Sequence, residues 1–220
     1  MPKKSRSTID DALRQLFDAE RTVRRIHDEL VGSDGPELVQ ALADAVSAAR
    51  EEKREDEATL RLVRVAHVLS ELTGDRVVDL LIDVLASEAG EARYAAGEAL
   101  TELSFDRFKE VALGVERALD RLPPDSPALM EIPFVLAEVP EPGVLKLLAR
   151  MMTLPNADVV ASAIEASTEV GDPALAKPIA KLVDDKRTVT MDDDEGESAS
   201  VTVGQLALEA LDLLGDAANG

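Results

Sequence analysis

Cysteine is absent from the chain, which removes disulfides, thiolate nucleophiles and thiolate metal ligands from consideration. Tryptophan is absent as well, and only one tyrosine and four phenylalanines occur in 220 residues. With so few aromatics, Ala, Leu and Val must fill the core, which suits closely packed helices better than a sandwich or barrel. No apolar run approaches the about 18 residues that span a bilayer. The opening MPKKSRSTIDD is basic but lacks the apolar segment of a signal peptide. A cytoplasmic protein without membrane association is therefore expected.

Basic residues are also scarce. Lys and Arg number 24 against 44 Asp and Glu, a formal charge of −20. Residues 1–30 hold seven of the bases and six of the acids, which leaves 17 bases facing 38 acids in the rest. Nucleic-acid backbones demand clustered cations for counterion release, so nucleic acid is a poor partner for this body. A protein with a basic face is a better one. Histidine occurs twice, at His27 and His67, and neither falls in a nucleophile elbow, a phosphate loop or a His-Glu-x-x-His motif. No catalytic residue, cofactor or resident metal is expected.

The chain does contain a repeat. The stretches VAHVLSELTGD (65–75), AGEALTELSFD (96–106), IPFVLAEVPEP (132–142), AIEASTEVGDP (163–173) and ALEALDLLGDA (207–217) each end a helical pattern at a breaker. Their last apolar residues, Leu72, Leu103, Val139, Val170 and Leu214, are separated by 31, 36, 31 and 44 positions. At three, four and seven positions before each, the residues are small or apolar in every case but Ser167. That spacing is one face of an α-helix, recurring in phase five times. A second helical pattern precedes each: 36–50, then segments after Asp75, Ser104, Glu141 and Asp172. Asp172-Pro173 places a capping acid before a proline at the first helical position, while Gly74, Gly171 and Gly215 suit C-terminal caps. Small residues at 92–99, Gly97 among them, fit helices pressed closely together.

The run ARYAAGEALTEL around Arg93, with VGDPALAKPIAKLVDD and TVGQLALEALDLLGD downstream, resembles the HEAT repeat family in its short bacterial form. The resemblance covers about residues 36–216 and implies an all-α solenoid, of five antiparallel helix pairs here, that binds proteins through its second helices. The arginine that marks the family's second helix is present only as Arg93, with Leu62, Leu129, Val160 and Gly204 at the equivalent positions. An Asp–Arg ladder between units is therefore not expected from this motif. Bilin lyases and alkylpurine glycosylases share HEAT-like architecture. The chain lacks the aromatic or His-rich lining the first would need and the basic groove the second would need, so a lyase-like accessory enzyme stands only as an alternative from another class.

The second helices carry acids in register. One position before each anchor stand Glu71, Glu102, Glu138 and Glu169, and five before stand Glu98, Glu165 and Glu209, with Phe134 in the same place and Glu131 nearby. By 100° per residue these flank the apolar stripe and form one ladder. A binding surface for a basic protein on a monomeric scaffold or adaptor is the expected role, with an inhibitor or immunity-type protein that blocks a basic effector as the alternative. The domain reading is a capping helix in 1–34, a solenoid in 35–216 and a tail in 217–220. The insertion at 186–200, which explains the spacing of 44, reads as a short β-hairpin or loop. An EF-hand reading of its acids places Met191 and Thr202 where ligands are required, so calcium is not expected.

Overall fold

The computed structural model describes residues 6–33, 35–192 and 198–217. In chain order the helices are α1 (Arg6–Val31), α2 (Pro36–Glu51), α3 (Glu55–Ser70), α4 (Asp75–Leu85), α5 (Gly90–Arg121), α6 (Pro127–Ala137), α7 (Gly143–Met151) and α8 (Ala157–Val170). They are followed by the single turn α9 (Ala176–Ile179), the strands β1 (Thr188–Asp192) and β2 (Ser198–Thr202), and α10 (Val203–Ala217). The chain is thus an all-α helical-repeat solenoid. Its units are α2/α3, α4 with the first half of α5, the second half of α5 with α6, α7/α8, and the segment 173–182 with α10.

Local chemistry sets most of the boundaries. Pro36 and Pro127 occupy the first turns of α2 and α6, where a missing N–H is harmless. The Asn156 side chain accepts hydrogen bonds from the amides of Asp158 and Val159 and so caps α8. Gly171 closes α8 in the left-handed region at φ 66°, a conformation that penalises any Cβ. Asp172 Oδ1 accepts from Ala174 N at 2.8 Å, with Pro173 next in line. Two of the expected glycine caps are placed differently: Gly74 immediately precedes α4 at φ 118°, and Gly215 lies inside α10. The helix expected after Asp172 is shorter than its pattern suggests, being two 3₁₀ turns around α9. Pro178 removes one of the amides that a longer α-helix there would need.

The break expected after Ser104 is a kink rather than a loop. Two helical halves of α5 meet without an intervening loop at Arg107, which sits outside the helical region at φ −138° and ψ 43°. Its guanidinium donates from Nη2 to Leu72 O at 2.9 Å, and Glu110 beside it accepts from Gly74 N at 2.7 Å. The kink is therefore pinned to the end of the preceding unit.

Two helical layers result. The first helices pack in sequence as α2, α4, the second half of α5 and α7, and the second helices as α3, the first half of α5, α6, α8 and α10. The repeated stripe lies between the layers. Every anchor and every residue three, four and seven before it is buried, except Val170 and Leu211, which are half-buried. The exceptional Ser167 is fully buried and donates its hydroxyl to Ala163 O at 2.6 Å, so no polar group is orphaned there. Ion pairs stitch the first-helix layer from unit to unit. Arg117 and Arg121 of α5 meet Asp79 and Asp83 of α4 at 2.9 and 2.6 Å, and Lys146 and Arg150 of α7 meet Glu116 and Asp120 of α5 at 3.3 and 2.5 Å. A ladder between units exists after all, on the layer opposite Arg93.

β1 and β2 form an antiparallel hairpin with Val189 opposite Val201 and Met191 opposite Ala199. Val189 is buried while Thr190 is exposed, as alternation requires. Arg187 at its root binds Asp185 and donates to Leu154 O and Pro155 O, fixing the hairpin to the α7–α8 turn. Asp193 and Glu195, the other two positions of the calcium reading, lie outside the described residues.

Close helix contact does not explain Gly97. A Cβ placed there would stand 3.9 Å from Leu85 Cδ1 and from Val135 Cγ2, ordinary contact distances. At Gly114 a Cβ would collide with Val78 Cγ1, and at Gly143 with the Phe108 ring. Gly97→Ala is accordingly expected to raise stability by up to about 1 kcal/mol, and Gly114→Ala to lower it. Thermal melting of the two variants checks this, and the opposite order would contradict the packing described. Leu100, 1% exposed, and Glu98, exposed, test the helix phase. Leu100→Asp should lose at least about 3 kcal/mol by burying an unpaired charge, whereas Glu98→Lys should stay within about 0.5 kcal/mol. Equal losses in melting temperature would mean that the phase is wrong.

Candidate functional site

The acids of the second helices are on the surface because the apolar stripe occupies the buried arc. Glu71, Glu98, Glu102, Glu138, Glu165, Glu169 and Glu209 are exposed, and Glu131 and Phe134 are half-buried. Three open hollows cut this face. The first lies between α3 and α5, has a volume of about 570 Å³, and includes His67, Tyr94, Glu98 and Glu102 in its lining. The second lies between α5 and α6 and holds about 310 Å³ among Arg93, Tyr94, Gly97, Glu131, Phe134 and Glu138. The third extends the first toward the start of α3, with Glu55, Asp56, Leu60, Glu88 and Glu91 on its walls. Tyr94 and Glu98 belong to both of the first two, so they form the ridge between them.

Tyr94 is the most open of the exposed large apolar and aromatic side chains in the described residues, at 71%. One helical turn separates it from Glu98 and another separates Glu98 from Glu102, so all three share a face of α5. Gly97 acquires its meaning here. Lacking a side chain, it keeps the second hollow open between Leu85, Val135 and Phe134.

The carboxylates are not equivalent. Glu131 accepts from Arg93 Nε at 3.2 Å, and Arg93 also donates to Ser87 O and Glu88 O. Arg93 thus ties the turn of its own unit to the next unit and neutralises Glu131 in doing so. Glu71 Oε1 lies 2.5 Å from His27 Nε2 of α1. Among the described residues, no cation pairs with Glu98, Glu102, Glu138, Glu165, Glu169 or Glu209. Glu165, Glu169 and Glu209 lie farther along the array, on α8 and α10, outside the three hollows. Hence the ladder is brought together at its centre, around Tyr94, and not along its whole length.

His67 does not offset these acids at neutral pH. Partial desolvation of its ring pushes the pKa below the ordinary histidine value, and the charges of Arg64 and His27 push the same way. The fold thus brings together the two histidines that lie far apart in sequence. Among the described residues, no group of three His, Asp or Glu side chains is arranged to hold a metal. No described helix is long and apolar enough to cross a membrane. Sequence reasoning missed Leu60, Glu55, Asp56, Glu88 and Glu91. Leu60 carried a usable signal, since it is an apolar residue outside the buried stripe of α3.

No known family profile matches the sequence, and no curated protein matches it. Among solved structures the chain is similar to an engineered protein at 17% identity and a TM-score of 0.36, over 87% of this chain and 89% of the other. A computationally designed armadillo repeat protein for modular peptide recognition shares 14% identity at a TM-score of 0.35, over 89% and 92%. A designed armadillo repeat protein in complex with the peptide (KR)4 shares 15% at 0.33, over 87% and 92%. At these scores the likeness says nothing of function, and the helical-repeat architecture rests on the two layers described above.

Proposed function

We propose that this is a non-enzymatic scaffold or adaptor of HEAT type that binds a basic protein segment on its second-helix face. The observation that supports this reading is the placement of unpaired Glu98, Glu102 and Glu138 on either side of an exposed tyrosine. A Lys or Arg side chain lying over the Tyr94 ring gains a cation–π contact, and its head then reaches carboxylates in either hollow. Phe134 offers an apolar wall beside the second hollow. Glu71, Glu131, Glu165, Glu169 and Glu209 extend the negative field along the array and steer the approach of the partner more than they contact it. The surrounding solenoid holds these groups on rigid helices, so little order is lost on binding.

The test is binding of a Lys/Arg-rich peptide, with an acidic peptide of the same length as comparison. Affinity should fall steeply as added salt shortens the Debye length from ~10 Å at 0.1 M to ~3 Å at 1 M. Replacing Glu98, Glu102 and Glu138 by Gln should weaken binding on the order of tenfold or more. Tyr94→Ala should cost about 0.5–2 kcal/mol of binding. The control replaces the exposed acids Glu37, Asp125 and Asp184 by their amides, an equal change of charge away from the hollows. If the control loses as much affinity as the Glu98/Glu102/Glu138 variant, only net charge matters and the proposed site is wrong.

A further inference from the structure

The fold leaves one extended apolar face open. Along α1, Ile9, Leu13, Leu16, Phe17, Ile26 and Leu30 are between 38% and 61% exposed. Among its described residues, only Val23, His27 and Val31 are half-buried. Contact with α3 accounts for that side, and none of the described residues of α1 is fully buried.

We propose that two copies of this chain associate through α1, the two helices pairing antiparallel. The spacing is the first reason. Ile9, Leu16, Val23 and Leu30 recur every seven residues, the period that keeps an apolar seam facing a second helix rather than drifting round its own. The same stripe is its own antiparallel complement, with Ile9 opposite Leu30 and Leu16 opposite the part of Val23 that α3 leaves uncovered. Leu13 and Phe17 then widen the seam on the part of α1 that α3 does not touch.

Charge identifies the occupant as a second α1. Arg14 pairs with Asp11, Arg21 with Asp18, Arg24 with Glu20 and Arg25 with Glu29, all within the helix. With five arginines and six acids, α1 is close to neutral, whereas the chain beyond residue 30 carries 17 bases against 38 acids. The acidic bodies of two copies therefore repel each other while α1 does not, and the self-paired arginines leave no strong field to select an acidic partner instead. Charge also selects the orientation. The solenoid leaves from the C-terminal end of α1, so a parallel pair would crowd two acidic bodies at one end. An antiparallel pair sets them at opposite ends of a helix about 39 Å long, several times the ~8 Å Debye length at physiological salt. In place of the single chain expected from the sequence, α1 makes a weak, reversible dimer.

Sedimentation of the full chain at rising concentration tests this. The expected result is a shift from the single-chain to the two-chain mass, and a single-chain mass up to the millimolar range would overturn the proposal. A Leu13→Glu/Leu16→Glu variant should stay at the single-chain mass with unchanged circular dichroism, because neither side chain is buried. Persistence of the dimer in that variant would place the contact elsewhere and overturn it equally. Since the chain has no cysteine, orientation is read by oxidising a mixture of the Ile9→Cys and Leu30→Cys chains. Disulfides between the two variants support the antiparallel pair, and Ile9→Cys chains linked to one another contradict it.

Discussion

Each inner second helix is confined between its own first helix and the units on either side. This confinement fixes the residues at three, four and seven positions before each anchor, and much else follows. In α5 the confined positions are Ala96, Ala99 and Leu100, and in α8 they are Ala163, Ala166 and Ser167, all buried. A hydroxyl in such a layer has only the backbone of its own helix to bond, which is what Ser104 and Ser167 do. Polar side chains have a single remaining arc, the flank that faces away from the first helices. The acids stand there because the stripe leaves nowhere else.

Cations are then distributed unevenly between the layers. Arg117, Arg121, Lys146 and Arg150 are engaged across the first-helix layer, Arg107 at the kink of α5, and Arg187 at the root of the hairpin. Surface pairs of this kind add little stability singly. Their effect on the molecule is to remove bases from circulation. Arg93 alone reaches into the second hollow, and it is taken up by Glu131 and two carbonyls. Among the described residues, Glu98, Glu102 and Glu138 around Tyr94 are left without a cation partner, and Arg64 stands farther off, in the wall of the third hollow.

The stripe is legible in the sequence because its period is that of the helix and it recurs in phase; eighteen of its twenty positions are buried. The register of the acids is legible for the same reason. Which acids share a hollow is not, since that depends on how far apart α3, α5 and α6 lie at each level. The pairing of Glu131 with Arg93, 38 residues away, is likewise a product of stacking. Gly97 misleads because smallness reads alike whether it admits a neighbouring helix or leaves a space open. The kink at Arg107 is not legible, because Ser104 and Asp106 read as an ordinary helix end and no glycine or proline marks a bend. The apolar periodicity of α1 is plain, but a periodicity does not state what covers it.

In the proposed function, unpaired acids around Tyr94 make the second-helix face the binding surface. Amide hydrogen exchange with and without a saturating Lys/Arg-rich peptide tests it most directly, because it maps contact and closure without altering the protein. Protection is expected to concentrate on the exposed sides and ends of α3, the first half of α5 and α6, near Tyr94 and Glu138, and to fade at high salt. Protection centred on α2, α4 or α7, the first-helix layer, would contradict the account.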